Sequence, residues 1–115
     1  MGYATNKQII KFIEDFKEYS SKDIEHVFFH GYCYWFAVIL AHRFKGDIWF
    51  NPNMVHFAAC IKKDLYDIYG KVKPGINPET GEYREEYNDW IPWDRFQIEN
   101  HEVAEAVILS CIKKC

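Results

Sequence analysis

The chain has 115 residues, of which 49 % are hydrophobic and 18 % aromatic, and its formal net charge is -3. This length fits one domain with one hydrophobic core, and the hydrophobic content excludes a chain that is disordered throughout. The sequence has neither a basic stripe nor an apolar run of about 18 residues, so nucleic-acid binding and a membrane span are not predicted.

The first residues lack the apolar stretch of a signal peptide, so a reducing, cytoplasmic location is expected. In that compartment the four cysteines are expected to be thiols rather than disulfides. No metal site is predicted, because His56 and Cys60 share a face of one strand but are too far apart to chelate one ion. No phosphate-binding glycine loop is present either, and no cofactor is expected.

The first predicted element is a helix over residues 6–18, where apolar residues recur at helical spacing. Thr5 and Gln8 fit a capping box at its start. A loop follows, in which Asp23 is expected to cap a short turn through Phe28.

The second predicted helix covers residues 32–44 and begins after Gly31. Nearly every side of it is apolar or aromatic, so it is expected to lie at the centre of the molecule. Lys45 and Gly46 are expected to end it, with Gly46 at positive φ.

The middle of the chain predicts an antiparallel meander, with short strands at residues 47–50, 54–61 and 65–69 joined by tight turns. Residues 71–90 are rich in turn signals and acidic residues and are interpreted as a surface excursion. Residues 90–93 are expected to return to the core, and a last helix over 101–113 follows, capped by Asn100. Together, the predicted helices and strands indicate an α+β fold.

Cys33 is the first candidate for chemistry, because it occupies the first turn of the central helix. Free N–H groups and the helix dipole at that position favour a thiolate, and the N–H of Cys33 itself is available to stabilise an oxyanion. The alternative is that Cys33 is a small buried hydrophobe. His56, at the head of the second strand, is the candidate base that would activate the thiol and then protonate the leaving group.

Three short motifs occur in order: Gly-x-Cys at residues 31–33, a histidine that begins a strand at His56, and Tyr-Asp-x-x-Gly at residues 66–70. In this order they resemble small bacterial and phage-type members of the papain-like and transglutaminase-like superfamily. The resemblance covers residues 31–70, about a third of the chain.

This resemblance implies a single papain-like domain over residues 1–115, with a central apolar helix packed on a small antiparallel sheet between N- and C-terminal helices. It implies a cysteine hydrolase or acyltransferase that acts on an amide, ester or isopeptide bond of a protein or peptide-like substrate. The implied catalytic residues are Cys33, His56 and Asp67. His30, Tyr32 and Trp49 are expected to bind substrate.

The identity of the acid stays open. A two-residue turn at Lys63-Asp64 would place Asp67 opposite Cys60, roughly 13 Å from His56 at about 3.3 Å per residue. That distance is beyond hydrogen-bond reach, although the resemblance favours Asp67.

Asp47 is the alternative acid. If Pro52 and Asn53 form a tight turn, Trp49 faces His56, and Asp47 lies one diagonal step away on the same face.

A second hypothesis of a different class is a non-enzymatic protein-binding module or phage-type inhibitor on the same scaffold. Its contact surface would be the acidic and aromatic residues 76–93.

Overall fold

The computed structural model describes residues 5–18 and 33–113, and the side chains among them up to residue 108. The expected turn from Asp23 to Phe28 lies outside the described residues, as do His30 and Tyr32. The elements in chain order are α1 (Asn6–Glu18), α2 (Cys33–Phe44), β1 (Asp47–Asn51), β2 (His56–Ile61), β3 (Asp64–Asp67), β4 (Gly70–Lys71), a 3₁₀ helix (Glu85–Asn88), β5 (Ile91–Pro92), α3 (Trp93–Glu99) and α4 (His101–Lys113). The predicted α+β class is confirmed.

The five strands form one antiparallel sheet in the order β4-β3-β2-β1-β5. β2 is central because five of its six residues are buried and it pairs on both sides. The two outer strands, β4 and β5, have only two residues each.

The capping box predicted for α1 is confirmed. The Gln8 N–H donates to Thr5 Oγ1 at 3.2 Å, and the Thr5 N–H donates to Gln8 Oε1 at 2.8 Å. These two bonds satisfy donors that have no partner inside a helix. α1 buries Ile9 and Ile13 on its inner side.

α2 ends differently from the prediction. The residue at positive φ is Lys45 (φ 57°), and the Gly46 N–H donates back to Ala41 O at 2.9 Å. Gly46 meets another requirement: a Cβ built on it would lie 2.4 Å from the backbone oxygen of Cys60. Gly46 is therefore required by close backbone packing against β2 rather than by its dihedral angle.

Among the described residues, two clusters of buried side chains make up the core, and α2 contributes to both. The first joins α1, α2, β2 and β3 through Ile9, Ile13, Phe36, Leu40, Ala59, Ile61, Tyr66 and Ile68. The second joins α2, β1, β2, α3 and α4 through Cys33, Ala37, Phe50, Phe57, Trp93, Phe96 and Ala104. The second cluster is aromatic, with the Trp93 ring 4.7 Å from Phe57 and 5.2 Å from Phe50, centroid to centroid.

Both predicted turns of the meander are wrong in position. Ile61 pairs with Asp64, so the two-residue turn between β2 and β3 is Lys62-Lys63. Asn51 pairs with His56, so a four-residue loop, 52–55, joins β1 to β2. Lys62 and Val55 lie at positive φ in these connections (63° and 50°).

The C-terminal part contains one helix more than predicted. α3 begins directly after β5, and Asn100 separates it from α4. The Asn100 side chain donates to Phe96 O of the preceding helix at 3.4 Å, and its backbone oxygen accepts the Ala104 N–H. Asn100 therefore occupies the predicted N-cap position of α4, but its side chain and its backbone N–H both bond to the end of α3.

Candidate functional site

Cys33 lies in the first turn of α2, as the sequence predicted, but its side chain is only 3 % exposed. It belongs to the aromatic cluster that contains Phe57, Trp93 and Phe96. The thiol is therefore a packed part of the core in this structure.

His56 and Asp67 are brought together. His56 Nε2 lies 2.8 Å from Asp67 Oδ2, and both side chains are buried. The other carboxylate oxygen of Asp67 accepts the Tyr69 N–H at 2.8 Å. The expected separation of about 13 Å is wrong because the turn is at Lys62-Lys63, which shifts the β2–β3 pairing by two residues.

The alternative acid, Asp47, is not near His56. Asp47 pairs with Cys60 at one end of the β1–β2 ladder, and His56 pairs with Asn51 at the other. Asp47 is exposed. The Asp47 carboxylate instead affects the thiol of Cys60. Burial raises the pKa of that thiol, and the negative charges of Asp47 and Asp64 raise it further.

Of the residues expected to bind substrate, only Trp49 lies within the described part of the chain. It pairs with Ala58 and Pro92 in the sheet. Trp49 lines a cavity of about 580 Å³, which is bordered by neither Cys33 nor His56 nor Asp67.

The surface excursion is ordered by its own hydrogen bonds. Ile76 and Tyr83 form an antiparallel bridge, and the Arg84 N–H donates to Gly75 O at 2.9 Å. Asn77 closes the turn between them, because its backbone oxygen accepts the Gly81 N–H and its side chain accepts the Glu79 N–H.

Two asparagines, the last residue of β1 and one in the loop that follows it, hold the excursion against the sheet. Asn51 is completely buried, and its side-chain amide donates to Tyr87 O at 2.9 Å. Asn53 donates to Glu86 O at 2.8 Å and to Asp89 Oδ2 at 3.3 Å. The Asn51 side-chain oxygen also accepts the N–H groups of Asn53 and Met54, so the same residue shapes its own loop.

Sequence reasoning interpreted Asn51 and Asn53 only as turn residues. The signal that could have marked them is the pair of asparagines on either side of Pro52, since Asn side chains commonly bond to the backbone two residues on. Their long-range partners lie more than thirty residues away in the chain, and no local pattern indicates them.

Residues 76–93, here called the acidic segment, carry most of the charge asymmetry of the molecule. The segment has five carboxylates and one arginine, a net charge of -4, while the whole chain has -3. The rest of the chain therefore carries +1. Tyr83 projects from this segment with 62 % of its surface exposed.

Within the described residues, no group of three or more His, Cys, Asp or Glu side chains is placed to hold a metal ion. In the same part of the chain, no helix combines the length and the apolar character needed to cross a bilayer.

A family model described as Phage YunG-like protein matches residues 9–106 of the chain. No curated protein and no solved structure matches it.

The resemblance to papain-like and transglutaminase-like enzymes is therefore wrong. The family that matches is a different one, and no structural relative supports the resemblance. The three short motifs that carried it cover residues 31–70, whereas the family model covers residues 9–106. The α+β architecture stands without the papain-like assignment, and of the expected source only the phage type is supported.

Proposed function

The chain belongs to the Phage YunG-like family, and we propose that it acts as a non-enzymatic protein-binding module. Its contact surface is the acidic segment, and its partner is a protein with a complementary basic patch.

The observation that carries this proposal is the way the acidic segment is held. Backbone hydrogen bonds close residues 75–84 on themselves, and the side chains of Asn51 and Asn53 fasten residues 86–89 to the sheet. A segment that is ordered before binding loses less conformational entropy when a partner docks.

The side chains of the segment suit protein recognition. Exposed carboxylates attract a basic partner towards the surface and disfavour the binding of acidic proteins. Tyr83 adds a rigid aromatic side chain, one of the residue types that dominate binding energy at protein interfaces. Its ring lies directly against Gly75, because a Cβ built on that glycine would lie 2.4 Å from Tyr83 Cε2.

The burial of Cys33 favours this proposal over thiol chemistry. A nucleophile must meet its substrate, whereas the Cys33 side chain is packed among aromatic rings. The His56–Asp67 pair is buried as well, and it has a structural use in joining β2 to the connection that follows β3.

The test is site-specific crosslinking. A photoreactive phenylalanine analogue replaces Tyr83 in the full chain, which is then irradiated in cells of its source organism, and the crosslinked protein is identified by mass spectrometry. The same analogue in place of the exposed Glu14 on α1 is the matched control position. We expect one protein to crosslink through position 83 and not through position 14.

The affinity of the identified partner then decides between the two hypotheses. We expect Tyr83→Ala to weaken binding by about 2 kcal/mol and Cys33→Ser to leave it unchanged. Binding should also weaken as salt is raised, because the attraction involves exposed charges. Rapid alkylation of Cys33 by iodoacetamide near pH 6, abolished by His56→Ala, would overturn the proposal in favour of an enzyme.

A further inference from the structure

A second feature of the molecule is the open cavity of about 580 Å³ between α2, β1 and the start of α3. Its size falls within the range of small-ligand sites, about 300–1,000 Å³. The polar and aromatic side chains that border it are Tyr34, His42, Asp47, Trp49, Trp93, Asp94 and Gln97.

Two carboxylates give the cavity its charge. Asp47 begins β1 and Asp94 lies in the first turn of α3, and both are exposed. Neither forms a salt bridge with any residue in the described ranges, and among the described residues His42 is the one basic side chain that borders the cavity. Two carboxylates against one histidine favour a cationic ligand.

The aromatic side chains narrow the class of cation. Tyr34 and Trp49 border the same space as the two carboxylates. Aromatic faces attract cations, and the planar guanidinium group both stacks on rings and donates pairs of hydrogen bonds to carboxylates. A guanidinium therefore matches the acidic and the aromatic parts of the lining together.

Trp93 supplies a further indication. Its side chain borders the cavity and is only 3 % exposed, and its indole N–H has no hydrogen-bond partner in the described structure. Buried donors without acceptors are rare in native proteins. The nitrogen is itself buried, so the carbonyl group of a ligand in the cavity would meet this N–H only after the Trp93 ring shifts towards it.

We propose that this cavity receives an arginine residue, whose guanidinium binds Asp47 and Asp94 and whose peptide carbonyl accepts the Trp93 N–H after the Trp93 ring shifts towards it. The arginine belongs to the protein partner, so this inference rests on the proposed function. Pro92 and Trp93 connect the two features, since they end the acidic segment and also border the cavity.

The test uses N-acetyl-L-arginine methylamide as a probe and N-acetyl-L-citrulline methylamide as its uncharged counterpart. Each is titrated into the intact protein, and the indole N–H signals of Trp49 and Trp93 are followed by NMR. We expect the arginine probe to shift both signals saturably, with a Kd of roughly 1 mM, as suits so small a ligand. The citrulline probe should bind at least about tenfold more weakly, since a hydrogen bond to a charged group is worth more than a neutral one.

Asp94→Asn and Asp47→Asn should each weaken the arginine probe about tenfold. Both positions are exposed, so the variants should fold, which their NMR spectra will verify. Glu14→Gln is the control that removes a carboxylate elsewhere and should bind normally. Equal binding of the two probes, an affinity unchanged in Asp94→Asn, or unmoved tryptophan signals would each overturn the inference.

The two proposals can fail separately. If the arginine probe binds but position 83 yields no specific crosslink, the cavity stands and the binding-module proposal fails. If the crosslink forms but the probe does not bind, the acidic segment stands and the cavity proposal fails.

Discussion

His56 Nε2 and Asp67 Oδ2, 2.8 Å apart, form the one buried pair of ionisable side chains in hydrogen-bond contact within the described chain. The pair links the first residue of β2 to the last residue of β3. Because the second oxygen of Asp67 accepts the Tyr69 N–H, the carboxylate also fixes the connection from β3 to β4.

Removal of this carboxylate should be strongly destabilising. We expect Asp67→Ala to lower the free energy of unfolding by about 3 kcal/mol, because it breaks a buried pair. Urea denaturation measures the loss. Asp64→Ala on the same strand is the control; its half-exposed pair with Lys71, at 3.6 Å, should contribute less than about 1 kcal/mol. Equal losses in the two variants would mean that the buried pair has no special weight.

Asn51→Ala should loosen the acidic segment. The variant loses the bond to Tyr87 O and both acceptor bonds in the 52–55 loop, and we expect a loss of about 2 kcal/mol in unfolding free energy. Hydrogen exchange should also quicken in residues 85–90. Asn88→Ala, which removes only an exposed bond to Glu85 O, is the control. Unchanged exchange in Asn51→Ala would show that the segment is held by other contacts.

Two glycines at similar positive φ allow a paired test of Tyr83. Gly75 (φ 73°) has the Tyr83 ring against it, whereas Gly81 (φ 76°) has nothing within 4 Å. An alanine at either position incurs the left-handed penalty of about 1 kcal/mol, but only Gly75→Ala also displaces Tyr83. The affinity for the partner should therefore fall in Gly75→Ala and stay unchanged in Gly81→Ala. Calorimetry with the partner protein that the crosslinking experiment identifies measures both affinities. The reverse order would contradict the placement of Tyr83.

Cys60 should be less reactive than an ordinary thiol. Burial raises its pKa, with further increases from Asp47 and Asp64, so less thiolate exists at a given pH. Iodoacetamide labelling of Cys60, resolved by mass spectrometry, should reach its half-maximal rate above pH 8.5, the approximate pKa of a free thiol. Asp64→Asn should lower that midpoint, because it removes a charge that disfavours the thiolate. A midpoint below that of free cysteine would contradict the assigned causes.

Helix positions could be predicted from the sequence because the signals are local. The capping box at Thr5 and Gln8 and the apolar spacing of α1 lie within one stretch of chain. The same holds for α2, whose start at Cys33 was predicted to within one residue.

The partners of buried polar groups could not be predicted in the same way. A one-residue error in the position of one turn shifted the predicted strand pairing by two residues and so placed Asp67 out of reach of His56, because an error of register runs along the whole ladder. Lys62 gave no indication of the true turn, since lysine is not a residue that favours its positive φ. The cavity was not predicted because α3 was not predicted. The first turn of that helix follows Pro92 directly and supplies Asp94.

The brevity of β4 and β5 has a consequence for behaviour at high concentration. Open sheet edges invite other chains to add strands, which leads to aggregation. Here the strand at each edge of the sheet has only two residues. Lys71 in β4 adds a charge and Pro92 in β5 lacks an N–H, and both features disfavour pairing with another strand. β2, whose residues 57–61 are all apolar, is flanked by β1 and β3 and is not at an edge, so the native protein should resist fibril formation although β2 alone would not.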